Sequence, residues 1–386
     1  MFVLENYWIG VLFCVITMLC WGSWGNTQKL AGKTWRFELF YWDYVFGVVL
    51  TALVFAFTWG STGTVGRGFF ADLMQADSMM LGSAFLGGVV FNAANILLVA
   101  AIAIAGMSVA FPIGIGLALV LGVLINFAAK PEESGNPIFL FAGVALITVA
   151  IILNAVAYRK LPNQQQGGSS IKGIALAVCC GVLMSLFYFL VARSLAGVVV
   201  DGNTLPLTVG NLALGGAKLE GGKVTPYTGN LIFTLGILVS SFLFVTVIMY
   251  KPFTGEPVTP SAYFKGLALD HIWGIIGGSI WAIGMTLNVI ASGVASPAVS
   301  YGLGQGATLV AAIWGVFVWR EFKAGSSTVK KLLNIMFLTF FLGLVLIILA
   351  KASQTDVPEQ TKESRTVVSP LEVLPSDVPQ SDESEQ

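Results

Sequence analysis

Glu38 and Asp43, in the run Phe37-Glu-Leu-Phe-Tyr-Trp-Asp-Tyr44, are the only carboxylates that fall inside the apolar stretches of this sequence. Taking an ionisable side chain out of water is expensive, so its presence there is a functional hypothesis by default. Asp43 lies about five residues into its stretch, roughly 7 Å at 1.5 Å per residue. That is deep enough to feel a bilayer and shallow enough to hydrate. Such a group can take and release a proton as its pocket opens and closes, since burial favours the neutral carboxyl. The competing reading makes Asp43 a structural partner of Lys29, Lys33 or Arg36, and makes Glu38, nearer the boundary, an interfacial anchor.

Uncharged polar side chains form the second group. Asn92 and Asn95 share a helix face, Tyr301 and Gln305 are four apart, and Tyr188 and Asn288 stand alone in apolar runs. Amides and phenols donate and accept without fixed charge, which suits a neutral polar solute; hydrogen bonding between helices uses the same residue types. The segment Cys20-Trp-Gly-Ser-Trp-Gly-Asn-Thr-Gln-Lys29 adds Trp24 and Asn26. Indoles offer a flat apolar face with one donor, which suits a ring-shaped solute, while an aromatic belt at the membrane interface accounts for Trp21 and Trp24 as well.

These side chains are carried by a duplicated chain. Ser108-Val-Ala-Phe-Pro-Ile-Gly-Ile-Gly116 returns as Ala298-Val-Ser-Tyr-Gly-Leu-Gly-Gln-Gly306, at an offset of about 190 residues. The offset pairs Val109 with Val299, Phe111 with Tyr301, Gly114 with Gly304, Gly116 with Gly306 and Lys130 with Arg320. Pro112, Gly114, Gly116, Gly302, Gly304 and Gly306 are candidates for the close packing and bending that gating requires.

Composition sets the class. Hydrophobic residues make up 56% and charged residues 10%, against about a quarter charged in soluble domains, and mean hydropathy is +0.84. A span needs roughly 20 mostly apolar residues. Ten such runs follow: Tyr7 to Lys29, Glu38 to Trp59, Leu81 to Ile104, Met107 to Ala128, Pro137 to Ala157, Ile171 to Val191, Leu231 to Tyr250, Ile272 to Ser292, Ala295 to Trp319 and Leu332 to Ala350. The expected fold is an all-α membrane protein with ten transmembrane helices as a 5+5 inverted repeat, because five spans per half turn the second half upside down. The halves are 1–160 and 161–352, divided at the polar run 158–170, and an acidic tail, 353–386, is expected to be disordered.

Lys and Arg concentrate in the loops after spans 1, 5, 7 and 9, so the positive-inside rule places both termini outside the cytoplasm, in an inner or plasma membrane. The first run lacks a basic leader and a cleavage site and reads as a retained span. The four cysteines lie within spans and suggest neither a disulfide framework nor a metal site. His271, beside Asp270, is the only histidine and reads as interfacial. Gly167-Gly-Ser-Ser-Ile-Lys-Gly173 fails the phosphate-loop pattern, so no nucleotide cofactor is expected.

The run Tyr41-Trp-Asp-Tyr44 followed by Ala56-Phe-Thr-Trp-Gly60 resembles the second span of the plant ureide permeases. So do Gly87-Gly-Val-Val90 leading through Asn95 to Gly106-Met-Ser-Val109, and Trp314-Gly-Val-Phe-Val-Trp-Arg-Glu-Phe322 with Ser326-Ser-Thr328. The resemblance implies membership of the drug/metabolite transporter superfamily and proton-coupled import of allantoin-like, oxopyrimidine or purine solutes. This chain departs from the plant pattern in its short central loop, which has no Walker-like stretch. The glucose, ribose and rhamnose porters share the ten-span plan, which keeps a sugar or nucleoside solute open.

An enzyme needs a nucleophile and base, or paired carboxylates, at a plausible depth, and the single histidine and two carboxylates on one span do not supply them. A channel or receptor has no need of the duplication. A metabolite or drug exporter stays open, though Lys29 at the end of span 1 argues against cationic drugs. The expectation is a secondary active transporter, without nucleic-acid partner or metal, monomeric or homodimeric, that takes protons and a small neutral solute through a bilayer.

Overall fold

The structure, a computed structural model, describes residues 1–31, 35–105, 107–161, 171–253 and 255–355. Lys33, Gly106 within the resembling segment, most of the expected break at 158–170 and the tail beyond 355 lie outside the described residues. Among these residues ten helices are long and apolar enough to cross a bilayer. They are span 1 (Tyr7–Leu30), span 2 (Phe37–Phe57), span 3 (Ser78–Ala105), span 4 (Val109–Ala129) and span 5 (Pro137–Arg159), then span 6 (Ile171–Ala192), span 7 (Pro226–Tyr250), span 8 (Ala268–Ala295), span 9 (Pro297–Val318) and span 10 (Ser327–Ala352). In lipid every backbone group must be satisfied within the segment, which leaves the helix as the default for such runs.

Caps set several boundaries. Asn136 accepts from the Ile138 amide at 2.9 Å with Pro137 in the first turn, and Thr225 with Pro226 opens span 7 the same way. Asp270 Oδ2 accepts from the Leu267 amide at 3.2 Å, so span 8 starts earlier than its apolar run. That brings His271 onto the first turn of a helix. Ser296, at φ +75°, turns span 8 sharply into span 9 and caps it through the Val299 amide.

Two spans are interrupted. Span 1 breaks at Trp24 between the helices Tyr7–Ser23 and Gly25–Leu30, and span 9 breaks at Gln305–Gly306 before closing in a π turn over Trp314–Val318. Broken helices at membrane depth are tolerated where they line a cavity, and π turns favour functional sites.

Helix neighbours recur at a step of five. Span 1 packs on span 8 as span 6 packs on span 3, and span 2 crosses span 8 as span 7 crosses span 3. At those two crossings the backbones touch through glycine. A Cβ at Gly278 would collide with the Tyr44 carbonyl, and one at Gly47 with that of Ile275; a Cβ at Gly88 would collide with the Phe233 carbonyl, and one at Gly236 with that of Phe85. Gly47 and Gly236, like Gly88 and Gly278, are about 190 residues apart.

The loop between spans 6 and 7 carries a feature the sequence reading passed over, a three-stranded sheet ordered β2-β1-β3 with β1 Val198–Val200, β2 Asn203–Leu205 and β3 Lys218–Leu219. Asp201 and Gly202 join β1 to β2 with φ +48° and +81°, the positive pair that a two-residue hairpin requires. Buried Asp72 ties this loop down, accepting from Arg67 Nε at 3.0 Å and the Thr225 amide at 2.7 Å.

Asn92 joins three spans. Its Oδ1 accepts from Tyr41 at 2.8 Å, and its Nδ2 donates to Ser240 Oγ at 2.8 Å and Ser241 Oγ at 3.0 Å. Asn92→Ala leaves these groups without that partner, at a cost of about 1–3 kcal/mol. A lowered melting temperature of the detergent-solubilised protein is the expected result, and an unchanged one would refute it.

Candidate functional site

A cavity of about 940 Å³ is lined by spans 1 to 6, 8 and 9 and reaches the helix ends on the face that carries the loops after the odd-numbered spans. Its depth is aromatic. Trp21 stacks on Trp281 with centroids 5.9 Å apart and planes 11° from parallel, Phe91 meets Trp281 at 4.7 Å, and Phe187 meets Phe91 at 5.1 Å. Trp21 Nε1 donates to the Trp281 carbonyl at 3.2 Å, which pins span 1 to span 8. Gly304 gives the Trp21 ring room against span 9, since a Cβ there would lie 2.8 Å from it.

Side-chain amides face this aromatic floor. Asn95 donates to Tyr41 at 3.0 Å, an orientation set by the Asn92 network. The side-chain amide of Gln305, at the break in span 9, makes no hydrogen bond to any described residue. Asn154 of span 5 also lines the cavity, and its Oδ1 has no partner among the described residues. A buried polar group without a partner is costly, and a bound solute can supply the missing hydrogen bond.

The mouth joins spans 1, 5 and 9. Lys29 Nζ lies 3.1 Å from Glu321 Oε1 and 4.6 Å above the Trp319 ring, and Tyr158 donates to Glu321 Oε2 at 2.6 Å. Trp319 Nε1 donates to Asn26 Oδ1 at 2.6 Å and Trp314 Nε1 to Ser23 Oγ at 2.9 Å. Lys29 and Glu321 are well exposed, so each contact is individually weak. Together they hold the ends of spans 1, 5 and 9.

Beside the cavity wall, Asp43 is buried at 1% exposure. Its Oδ1 accepts from the Tyr263 hydroxyl and lies 2.9 Å from His271 Nδ1, while Oδ2 has no hydrogen-bond partner of normal geometry. Burial, and then the hydrogen bond to Asp43 and its charge, push the Tyr263 phenol above its ordinary value, so it stays protonated and donates. Trp35, which also lines the cavity, meets the His271 ring edge-on at 4.8 Å and Tyr263 at 6.1 Å. One ring therefore separates this cluster from the solute space.

Of the residues singled out in the sequence, Trp24, Asn26, Asn95, Gln305 and Pro112 line the cavity. The others lie elsewhere. Tyr188 bonds Ser300 Oγ at 2.9 Å, Asn288 donates to the Ser300 carbonyl at 2.9 Å, and Tyr301 donates to the carbonyls of Ala118 and Met184 at 3.1 and 3.3 Å. These three and Asn92 join helices outside the cavity lining. Arg36 takes Glu38 in an ion pair at 2.7 Å and also donates to the Glu256 carbonyl; Lys29 turns to Glu321. Neither pairs with Asp43, which is met by His271, Tyr263 and the Trp35 indole. Gly114 packs on Ala177 and Cys180 of span 6, Gly302 on Val123 and Ile347, and Gly306 on Met18; a Cβ at Gly116 meets nothing within 4 Å.

Sequence reasoning missed Trp281, Phe91, Asn154 and His271. The signals were present: Phe91 and Trp281 stand about 190 residues apart, and Asn154 is a lone amide in an apolar run.

Known proteins are similar to this chain in sequence. The sequence profile described as "Ureide permease" matches residues 40–167. Ureide permease 2 of Arabidopsis thaliana is 24% identical over 400 residues, covering 91% of this chain and 99% of that protein. Ureide permease 1 of the same plant is 22% identical, covering 90% and 98%, and ureide permease 4 is 23% identical, covering 91% and 99%. Ten apolar helices among the described residues, eight of them lining an aromatic cavity, make this an integral multi-pass membrane protein, similar along nine-tenths of its length to the ureide permeases of a plant.

Proposed function

We propose that the protein is a proton-coupled secondary transporter that carries a small, flat, neutral polar solute of the ureide or nucleobase type by alternating access. The observation that carries this reading is the cavity, where the stacked indoles of Trp21 and Trp281 face the amides of Asn95, Asn154 and Gln305. A ureide or nucleobase has two apolar faces and an edge of alternating donors and acceptors. One face rests on the aromatic floor of the cavity and the edge meets the amides. The full-length similarity to proteins named for ureides supports the same class.

The step-of-five helix neighbours and the paired glycine crossings support two inverted five-helix halves, able to rock about a shared site. The cavity opens on the face richer in Lys and Arg, which the charge rule assigns to the cytoplasm, with the termini opposite. Asp43 is the proton carrier in this reading: His271 and Tyr263 hold its Oδ1, the Trp35 indole lies against the carboxylate, and the same Trp35 ring connects the cluster to the solute space.

Uptake of labelled allantoin, uracil, ribose and glucose into proteoliposomes, with and without a proton gradient, tests the proposal. Gradient-driven accumulation of allantoin or uracil upholds it. Accumulation of a sugar alone would move the solute class to the sugar porters, and no uptake of any would overturn transport of this class. In the same assay Gln305→Ala, which removes one amide edge, is expected to raise the half-saturating concentration about tenfold, the equivalent of roughly 1.4 kcal/mol, with smaller change in the maximal rate.

A further inference from the structure

On the face opposite the cavity mouth lies a cleft of about 30 Å³, lined by Lys130 and Glu133 after span 4, Ala192 and Leu195 around the end of span 6, Pro226, Ser292, Gly293 and Pro297 among others. Four of its lining elements are counterparts, five spans apart, of elements at the cavity mouth. The mouth uses the end of span 1, the start of span 2 at Phe37, the end of span 3 at Val99 and Ile102, and the end of span 9. The cleft uses the end of span 6, the start of span 7 at Pro226, the end of span 8 at Val289 and Ser292, and the segment after span 4. Phe37 and Pro226, Val99 and Val289, and Ile102 and Ser292 are all about 190 residues apart.

The aromatic floor stands between the two openings in the chain's order of elements, with Phe91 and Trp281 themselves about 190 apart. What narrows the cleft is specific. Lys130 and Glu133 pair at 2.9 Å, and the Leu207 backbone lies so close that a Cβ at Gly293 would come within 2.7 Å of its carbonyl oxygen.

We propose that this cleft is the second doorway for the solute, shut here while the large cavity is open, and that the same small neutral polar solutes pass through it when the cavity closes. The inference rests on the transporter reading and adds to it the place and residues of the opposite opening. Widening requires Leu207 to part from Gly293 and the Lys130–Glu133 pair to yield.

Single cysteines at the two counterpart positions, I102C and S292C, each in a background with Cys14, Cys20, Cys179 and Cys180 replaced, test it. A membrane-impermeant sulfonate thiol reagent is applied to either side of sealed vesicles of one orientation, with and without saturating allantoin or uracil, and uptake is measured in the same vesicles. The expected result is labelling of S292C only from the face opposite to that labelling I102C. The two rates should also move in opposite directions, at least threefold, when a proton gradient or solute is imposed. Adding Lys130→Gln to S292C should raise its labelling rate. S292C that stays unlabelled from its own face while I102C reacts, or two rates that rise together, would overturn the doorway. Uptake without reciprocal labelling overturns the doorway and leaves transport standing; reciprocal labelling without uptake upholds the doorway and overturns the solute class.

Discussion

Asp43→Asn is expected to cut gradient-driven accumulation sharply while leaving exchange of labelled for unlabelled solute across the membrane. The substitution keeps the size of the side chain and an oxygen that can accept from Tyr263 and face His271, so the loop holding Tyr263 stays docked. It removes the ability to take a proton at Oδ2, the oxygen that has no partner of normal geometry. Accumulation driven by a pH gradient needs a group that changes protonation between the two faces; exchange at equal pH does not. A fall of at least about tenfold in accumulation, with exchange within about twofold, is the expected split, since a tenfold change already corresponds to roughly 1.4 kcal/mol of lost coupling. His271→Gln should follow the same direction more weakly, because it removes one partner and keeps the carboxyl. Unchanged accumulation and unchanged pH dependence in the asparagine variant would end the proton role of Asp43.

Gly88→Ala is expected to prevent folding, although it adds a single methyl group. The new carbon would overlap the Phe233 carbonyl and come within 2.9 Å of the Ile237 amide nitrogen and 3.0 Å of Gly236 Cα. These are backbone atoms, which cannot swing aside as a side chain does, so spans 3 and 7 must separate and lose the Asn92 network beside them. Overpacking of a tight interior costs typically 1–3 kcal/mol, and a clash with backbone on both sides stands at or beyond the top of that range. Gly82→Ala in the same span is the control, because nothing lies within 4 Å of its Cβ and alanine favours helix over glycine by about 1 kcal/mol. Size-exclusion chromatography of the two variants should give aggregate or no protein for Gly88→Ala and a wild-type peak for Gly82→Ala. Equal peaks would show that the crossing tolerates a wider separation.

The ten apolar runs were legible because length and hydropathy are one-dimensional quantities. Asn95 and Gln305 were legible as cavity residues only by type. Asn92, three residues from Asn95, has the same side chain and a different role, since its hydrogen bonds all go to spans 2 and 7. Nothing in an amide says whether it faces a neighbouring helix or a lumen. His271 was hidden because Asp270 caps the helix ahead of the apolar run, placing the ring on the first helical turn and opposite an aspartate 228 positions away in sequence. Trp21 read as an interfacial indole and Trp281 was passed over; their stacking depends on spans 1 and 8 being neighbours, which spacing within either span does not encode. The Asp201-Gly202 turn was legible in principle, as a hairpin signal between two short β-branched segments.

The aromatic floor has a consequence for direction. If the halves exchange roles between the two forms of the carrier, Phe91 and Trp281 exchange places, and so do their stacking partners Phe187 and Trp21. A solute resting on this platform meets the same four rings whichever way the protein faces. A ligand held equally by two forms shifts the balance between them not at all, so the platform fixes which solutes are carried and how tightly, and does nothing to decide which way they travel. That decision falls to residues that break the equivalence. The positions corresponding to Asp43 and His271 in the opposite halves are Ile232 and Leu81, neither of which can hold a proton.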